Sequence, residues 1–402
     1  MQARQRAAIN NMNLATRISR ISVSKTMAVM EAAIKLREQG IDVVDFGPGE
    51  PDFPTPDNIG QAAIRAIQQN FTKYTAIGGI KELKKAIIEK HAREFGSKYD
   101  MSEVVVNFGG KHALFNIFSA VVEEGDDVVI PTPYWVTFGD IARFVNANPI
   151  FVATKESDGF RLTADILERA LTPRTRMVVV NSPNNPSGAV LDDAEFGRIA
   201  ELCAKKDVIL LSDECYSHFL YDGRKPFSIA SRTDLKNHII IAGSVSKTYA
   251  MTGWRIGYIL APPDVISATV KLQSHSTSNP TSISQKAALE ALTGPQESVG
   301  AMLAEYAKRR KFVLDRLRAI PGVKCAEPGG AFYAYPNISA AFGKNGIKDS
   351  VDFSAQLLEK VYVAVTPGEA FGTNDHVRMS YATSIEQLDK GLQRLQEFMA
   401  GL

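Results

Sequence analysis

Lys247 stands a few residues past an apolar run, Ile239-Ile240-Ile241-Ala242, and Arg255 follows eight residues later. A lysine beside buried surface can lose its proton and act as a nucleophile or base, and an arginine fork suits a phosphate. On its own, a lysine in a loop is a solvated charge. Three other stretches share its placement at the end of an apolar run. In Leu211-Ser212-Asp213-Glu214-Cys215-Tyr216, an acid directly after Val208–Leu211 is costly to bury unless it meets a cation. A salt bridge or a helix cap would serve equally well. In Asn107-Phe108-Gly109-Gly110-Lys111-His112, two glycines turn where a strand gives way to a helix, and backbone N–H groups at a helix start favour an anion. A tight turn uses the same glycines. In Asn181-Ser182-Pro183-Asn184-Asn185-Pro186-Ser187-Gly188, Asn and Pro alternate, which is turn chemistry or an asparagine facing a ligand ring.

The elements that must position these residues are legible as short β-branched runs. They are Val104–Val106, Val128–Ile130, Met177–Val180, Val208–Leu211, Ile239–Ile241 and Ile256–Leu260. Runs of this kind read as strands buried on both faces, hence a mostly parallel sheet, and helical stretches such as Asp193–Lys205 alternate with them. That alternation predicts an open α/β fold. The last third differs. Ser298–Ile320 reads as one long helix whose Lys308-Arg309-Arg310-Lys311 cluster is a solvated face. Pro328-Gly329-Gly330, a short strand Ala331–Tyr335 and a final amphipathic helix Ser384–Met399 follow. The expected division is residues 1–55 as an N-terminal arm and part of a small domain, 56–297 as a large domain, and 298–402 as the rest of a small α+β domain. In open α/β sheets ligands sit beyond the carboxyl ends of the strands, so the four stretches converge there. Together they supply a phosphate cradle, a buried carboxylate, an asparagine and an amine. That set matches pyridoxal 5′-phosphate, which needs a lysine for its Schiff base, an anion beside its pyridinium nitrogen and a phosphate site.

Composition narrows the partners. The 402 residues are 45% apolar and 22% charged with a net charge of +2, ordinary for a globular protein and no invitation to nucleic acid or an anionic membrane. No run approaches the ~20 apolar residues of a membrane span. Three cysteines, without a C-x-x-C pair, fit neither a disulfide framework nor a zinc site and point to a reducing, cytoplasmic setting. The first thirty residues carry Arg4, Arg6, Arg17, Arg20 and Lys25 but no acid. They read as a short basic arm, with a transit peptide as the other reading.

The three motifs Asn184-Asn185-Pro186-Ser187-Gly188, Ser212-Asp213-Glu214-Cys215-Tyr216 and, most specifically, Ser244–Tyr258 occur in the order seen in one family. From Leu14 to the last helix the chain resembles a fold-type I, class I aminotransferase of the bacterial and plastid aspartate aminotransferase subgroup. The resemblance implies a large domain with a mostly parallel seven-stranded sheet flanked by helices, and a smaller α+β domain. It implies that Lys247 forms the Schiff base and then moves the substrate proton, that Asp213 keeps the ring nitrogen protonated, and that Tyr216 and Asn185 hold the ring's phenolic oxygen. Trp135 would stack on the ring, and Gly110, Lys111, Ser244 and Arg255 would surround the phosphate. Arg378 and the Gly49 backbone N–H would hold the substrate α-carboxylate. Tyr74 resembles the tyrosine that reaches the phosphate of the neighbouring subunit, so the sites would be shared across a homodimer. His112 reads as helix surface or support, and Gly329–Tyr333 as small-domain packing near the substrate, not chemistry. The stretch Gln273–Pro280 lacks the arginine with which animal-type enzymes read the distal carboxylate, and Lys111 is expected to take that part. The activity implied is ping-pong transamination of L-aspartate with 2-oxoglutarate. The alternatives are an aspartate or glutamate–prephenate or aromatic aminotransferase, and a β-lyase on the same scaffold. A regulator with a DNA-binding domain ahead of an aminotransferase-like one does not fit a pattern that starts near residue 14.

Overall fold

The computed structural model describes residues 14–21 and 25–402. Arg4 and Arg6 lie outside the described residues, and with them the start of the expected basic arm. The six expected strands form, joined by one more. They are β1 (Val104–Asn107), β2 (Asp127–Thr132), β3 (Asn148–Ala153), β4 (Thr175–Asn181), β5 (Ile209–Asp213), β6 (Ile239–Ser244) and β7 (Gly257–Leu260). They hydrogen-bond in the order β1-β7-β6-β5-β4-β2-β3. Only β7 runs antiparallel to its neighbours, β1 and β6. The continuous apolar runs follow from burial on both faces. Val104, Val106, Val178, Val180, Ile239 and Ile241 point into one core, while Val105, Val128, Val179, Ile240 and Ile259 point into another. The first core is closed by α1 (Lys81–Phe95) and α3 (Asp193–Lys205), the second by α2 (Gly109–Val121). Edge strand β3 is half exposed and contains Pro149, so no apolar run announces it.

A third core gathers α4 (Glu297–Arg318), α5 (Ile385–Ala400) and a small antiparallel sheet in the order β8-β10-β9, where β8 is Tyr333–Ala334, β9 Thr366–Pro367 and β10 Val377–Ser380. Val44 and Phe46 belong to this core, and Val44–Asp45 pairs in parallel with Val363–Ala364. The expected strand Ala331–Tyr335 is shorter than its apolar run because Ala331 takes a left-handed φ of 57°.

The expectation of a solvated basic face on α4 is corrected. Lys308 and Lys311 are exposed, but Arg309 and Arg310 are each only 6% exposed. Arg309 donates from Nη1 to both carboxylate oxygens of Asp52 at 2.8 Å and from Nε to Glu305 at 3.1 Å. Arg310 pairs with Asp222 and Glu327, donates to the Pro328 carbonyl at 2.7 Å and lies over the Tyr221 ring. Long arginine stems bury readily when the fork is satisfied, and here every partner but Glu305 comes from distant sequence. No helix among the described residues is long and apolar enough to cross a membrane.

Candidate active site

Register aligns the strand ends. Asn181 of β4 pairs with Asp213 of β5, and Asp213 with Ala242 of β6. Two residues further on, Ser244 pairs with Gly257 of β7, which pairs with Asn107 of β1. Because β7 is reversed, its first residues rather than its last reach this edge. A cavity of about 370 Å³ opens there, lined from the sheet edge and closed by Gly49, Tyr333, Phe371 and Arg378 from the third core's side. Every expected site residue lines it except Tyr74: Gly49, Gly110, Lys111, Trp135, Asn185, Asp213, Tyr216, Ser244, Lys247, Arg255 and Arg378. Tyr74 lies away from the cavity of its own chain, 90% exposed. His112 does not line the cavity; its Nδ1 accepts from the Phe108 N–H at 3.4 Å, as expected of a supporting residue.

Lys247 is half-buried, and its Nζ donates to the Gly49 carbonyl at 2.5 Å. Burial lowers its pKa, Arg378 and Arg255 add to that, and Cys215 and Glu50 act against it. Asp213 is buried. Burial raises its pKa to about 6, against the Cys215 N–H at 3.1 Å and the charge of Lys247. It is therefore an acid in need of a cation. Tyr216 shares a hydrogen bond of 2.7 Å with the Tyr333 hydroxyl. Asn185 is fixed by its backbone N–H on Asn181 Oδ1 at 2.8 Å, and its own Oδ1 accepts from Arg378 Nη1 at 3.0 Å. Its amide N–H₂ is thus the group it can offer a ligand.

The Gly-Gly turn places α2 with its first N–H groups at the cavity. Gly109 has φ +81°, and a Cβ there would stand 2.5 Å from Arg255 Nη2. The glycine that the geometry demands is therefore Gly109, with Gly110 lining the cavity beside it. Arg255 itself takes φ 58° and donates to the Thr252 carbonyl at 2.7 Å, which holds its fork against the turn. Ser244 Oγ bonds Ser246 Oγ at 2.7 Å. Lys111 Nζ sits 5.0 Å from the Trp135 ring centre. Its pKa is lowered by burial and then by Arg255.

Arg378 donates to the Gly47 carbonyl at 2.7 Å, and its guanidinium lies between the rings of Tyr333 at 4.7 Å and Phe371 at 5.0 Å. Its Nε is buried with no hydrogen-bond partner. Sequence reasoning missed Asn181, Tyr333 and Phe371 as lining residues. Asn181 stood in plain sight at a strand end. Tyr333 and Phe371 look like core aromatics in one dimension, and Tyr333, expected to pack near the substrate, lines the cavity itself.

An amine, a buried acid and a glycine turn at a helix start, all at the carboxyl edge of a seven-stranded sheet, define a class. The profile described as Aminotransferase class I and II matches residues 41–395, and the chain belongs to this family of enzymes. It is 44% identical to the aspartate aminotransferase of Geobacillus stearothermophilus over 389 residues, 96% of this chain and 99% of that one. It is also 44% identical to the aspartate/prephenate aminotransferase of Cereibacter sphaeroides, over 97% and 99% of the two chains. The crystal structure of the aspartate aminotransferase from Rhizobium meliloti superposes with a TM-score of 0.94 at 43% identity, covering 97% of this chain and 99% of that one.

Proposed function

We propose that the protein transfers the amino group of L-aspartate to 2-oxoglutarate, giving oxaloacetate and L-glutamate, with pyridoxal 5′-phosphate as cofactor. The observation that carries this reading is the charge of the cavity. Lys111, Lys247, Arg255 and Arg378 line it with a single carboxylate, Asp213, and among the described residues none of the four cations forms an ion pair with an acid. A cavity so charged takes anions. One phosphate and the two carboxylates of a dicarboxylic amino acid account for Arg255, Arg378 and Lys111, and leave Lys247 to do chemistry.

The donor set fits the cofactor. Arg255, Ser244 and the Gly109-Gly110 turn would hold its phosphate, Asp213 its ring nitrogen, Tyr216 and Asn185 its phenolic oxygen, and Trp135 its ring face. When bound, the cofactor supplies an electron-withdrawing ring that takes up the pair left by a departing α-proton. The chain's own residues do the rest. Lys247, whose hold on a proton burial weakens, accepts that proton and returns it at the neighbouring carbon. Asp213, buried and anionic beside a cation, holds the ring's proton. Arg378 and the Gly49 N–H fix the α-carboxylate so that the bond to be broken is oriented. Lys111 reads the distal carboxylate as a mobile point charge.

The same reading makes the protein a homodimer in which Tyr74 completes the partner's phosphate site, and divides each chain at about residues 55 and 297, in keeping with the separate cores. It also places the protein in the cytoplasm. Borohydride reduction of the cofactor-loaded protein followed by peptide mapping tests the reading: the adduct belongs on Lys247, and an unmodified Lys247 removes it. Aspartate should then convert the yellow form to its amine form, with keto-acid-dependent glutamate formation and no pyruvate release. Prephenate is the second substrate to try, because the Cereibacter relative carries it in its name and a lysine point charge is less exacting than an arginine fork.

A further inference from the structure

Tyr333 touches both halves of the site. It is completely buried on β8, next to Arg378 on β10, and lines the cavity. Its hydroxyl bonds Tyr216 at 2.7 Å, its ring lies 4.7 Å from the Arg378 guanidinium, and a Cβ built on Gly49 would come within 2.9 Å of its oxygen. Burial raises the pKa of both phenols, so each keeps its proton at neutral pH. Two hydroxyls in one hydrogen bond hold two protons. One lies between the oxygens, and the other points elsewhere. Among the described residues neither hydroxyl has a second hydrogen-bond partner. With the cofactor bound as proposed, Tyr216 can send its proton to the cofactor's phenolic oxygen, whereas Tyr333 has no acceptor but Tyr216 among the described residues, so Tyr333 is the donor.

We propose that Tyr333 is a positioning residue whose hydroxyl donates to Tyr216, fixing the Tyr216 proton as a donor into the cavity and tying the carboxylate clamp of Arg378 and Gly49 to the group that Tyr216 faces. This rests on the reading of Tyr216 as the partner of the cofactor's phenolic oxygen. A donor that itself accepts a hydrogen bond donates more strongly. Losing the Tyr333 hydroxyl therefore weakens the Tyr216 contact and leaves more electron density on the phenolic oxygen. The nitrogen that links the cofactor to Lys247 then binds its proton more tightly.

The test is a spectral pH titration of the cofactor-loaded protein, wild type against Tyr333→Phe, Tyr216→Phe and the double variant. Tyr333→Phe keeps the ring over Arg378 and should raise the proton affinity roughly 1.3- to fivefold, the share expected when the Tyr216 contact loses its cooperative support of about 10–30%. Tyr216→Phe should raise it further, and the double variant should titrate with Tyr216→Phe, because Tyr333 acts only through Tyr216. Replacing Tyr333 with 3-fluorotyrosine, a stronger donor, should move the midpoint the other way, and this measurement stands even where Tyr333→Phe folds poorly. If Tyr216→Phe shifts the midpoint and Tyr333→Phe does not, the proposal fails and the site reading stands. Shifts that add in the double variant overturn it too. No shift with Tyr216→Phe removes the site reading, and the proposal with it.

Discussion

Asp213 and Glu214 are consecutive acids with opposite surroundings. Asp213 faces the cavity and its cations. Glu214 accepts hydrogen bonds from Ser212 Oγ at 3.0 Å and Ser228 Oγ at 2.8 Å, and burial pushes its pKa up to about 7. A carboxyl whose folded pKa lies above its unfolded value binds its proton more tightly when folded. Its stability contribution is thus full below the unfolded value of 4.5 and is lost as pH rises through about 7, on the order of 3 kcal/mol in all. Glu214→Gln removes the titration. Its thermal midpoint relative to wild type should climb from about pH 5 to about pH 8; a constant offset would show that another group titrates. Lys111 makes a kinetic prediction at the same scale. Lys111→Ala should raise KM for aspartate roughly ten- to hundredfold, the range for hydrogen bonds to charged groups, and leave an aromatic substrate nearly unaffected. Equal losses for both would place Lys111 at the phosphate alone.

Among the elements, α4 shows what a charge cluster conceals. Arg310→Ala strips the Pro328 carbonyl of its donor and uncovers Tyr221, so it should cost about 2 kcal/mol in urea unfolding, whereas Lys311→Ala should stay within about 0.5 kcal/mol. Similar losses for both would mean that the cluster is a solvated face after all. Helix periodicity could not separate these neighbours, because Asp52, Asp222 and Glu327, which draw the two arginines inward, are not on the helix. Strands β1, β2 and β4–β7 were legible because both their faces are buried, and β3 was not because its apolar residues are interrupted and half exposed. Part of the cavity was legible for a related reason: Gly110, Asp213 and Ser244 sit where an apolar run stops, whereas Gly49, Trp135 and Arg378 came from the family resemblance. Tyr333 and Phe371 arrive from short elements whose aromatic residues look alike whether they face a core or a ligand. The cluster of buried Lys90 with Glu94 and His218 was equally silent. Burial would raise the Glu94 pKa, but the hydrogen bond from His218 and the charge of Lys90 bring it to about 2.

For the molecule as a whole, the exposed Tyr74 turns the proposed dimer into a mixing experiment. Lys247→Ala should be inactive in every site. Tyr74→Phe should retain its cofactor poorly in every site. Co-refolded together, the two should form hybrids in which one site has both an intact lysine and an intact partner tyrosine. Activity and cofactor retention should then exceed those of either parent, while a sum of the parents' activities would place Tyr74 outside the partner's site.

The reversed direction of β7 has a consequence for how this enzyme can vary. Lys247 leaves β6 and Arg255 enters β7 at the same rim, so the residues between them form a direct return with no crossover helix to absorb slack. Substitutions there change chemistry, but one inserted or deleted residue would slide both anchors against each other. The interval between that lysine and that arginine acts as a ruler. We expect its length to be the last thing to drift among descendants of this chain, whatever happens to the letters within it.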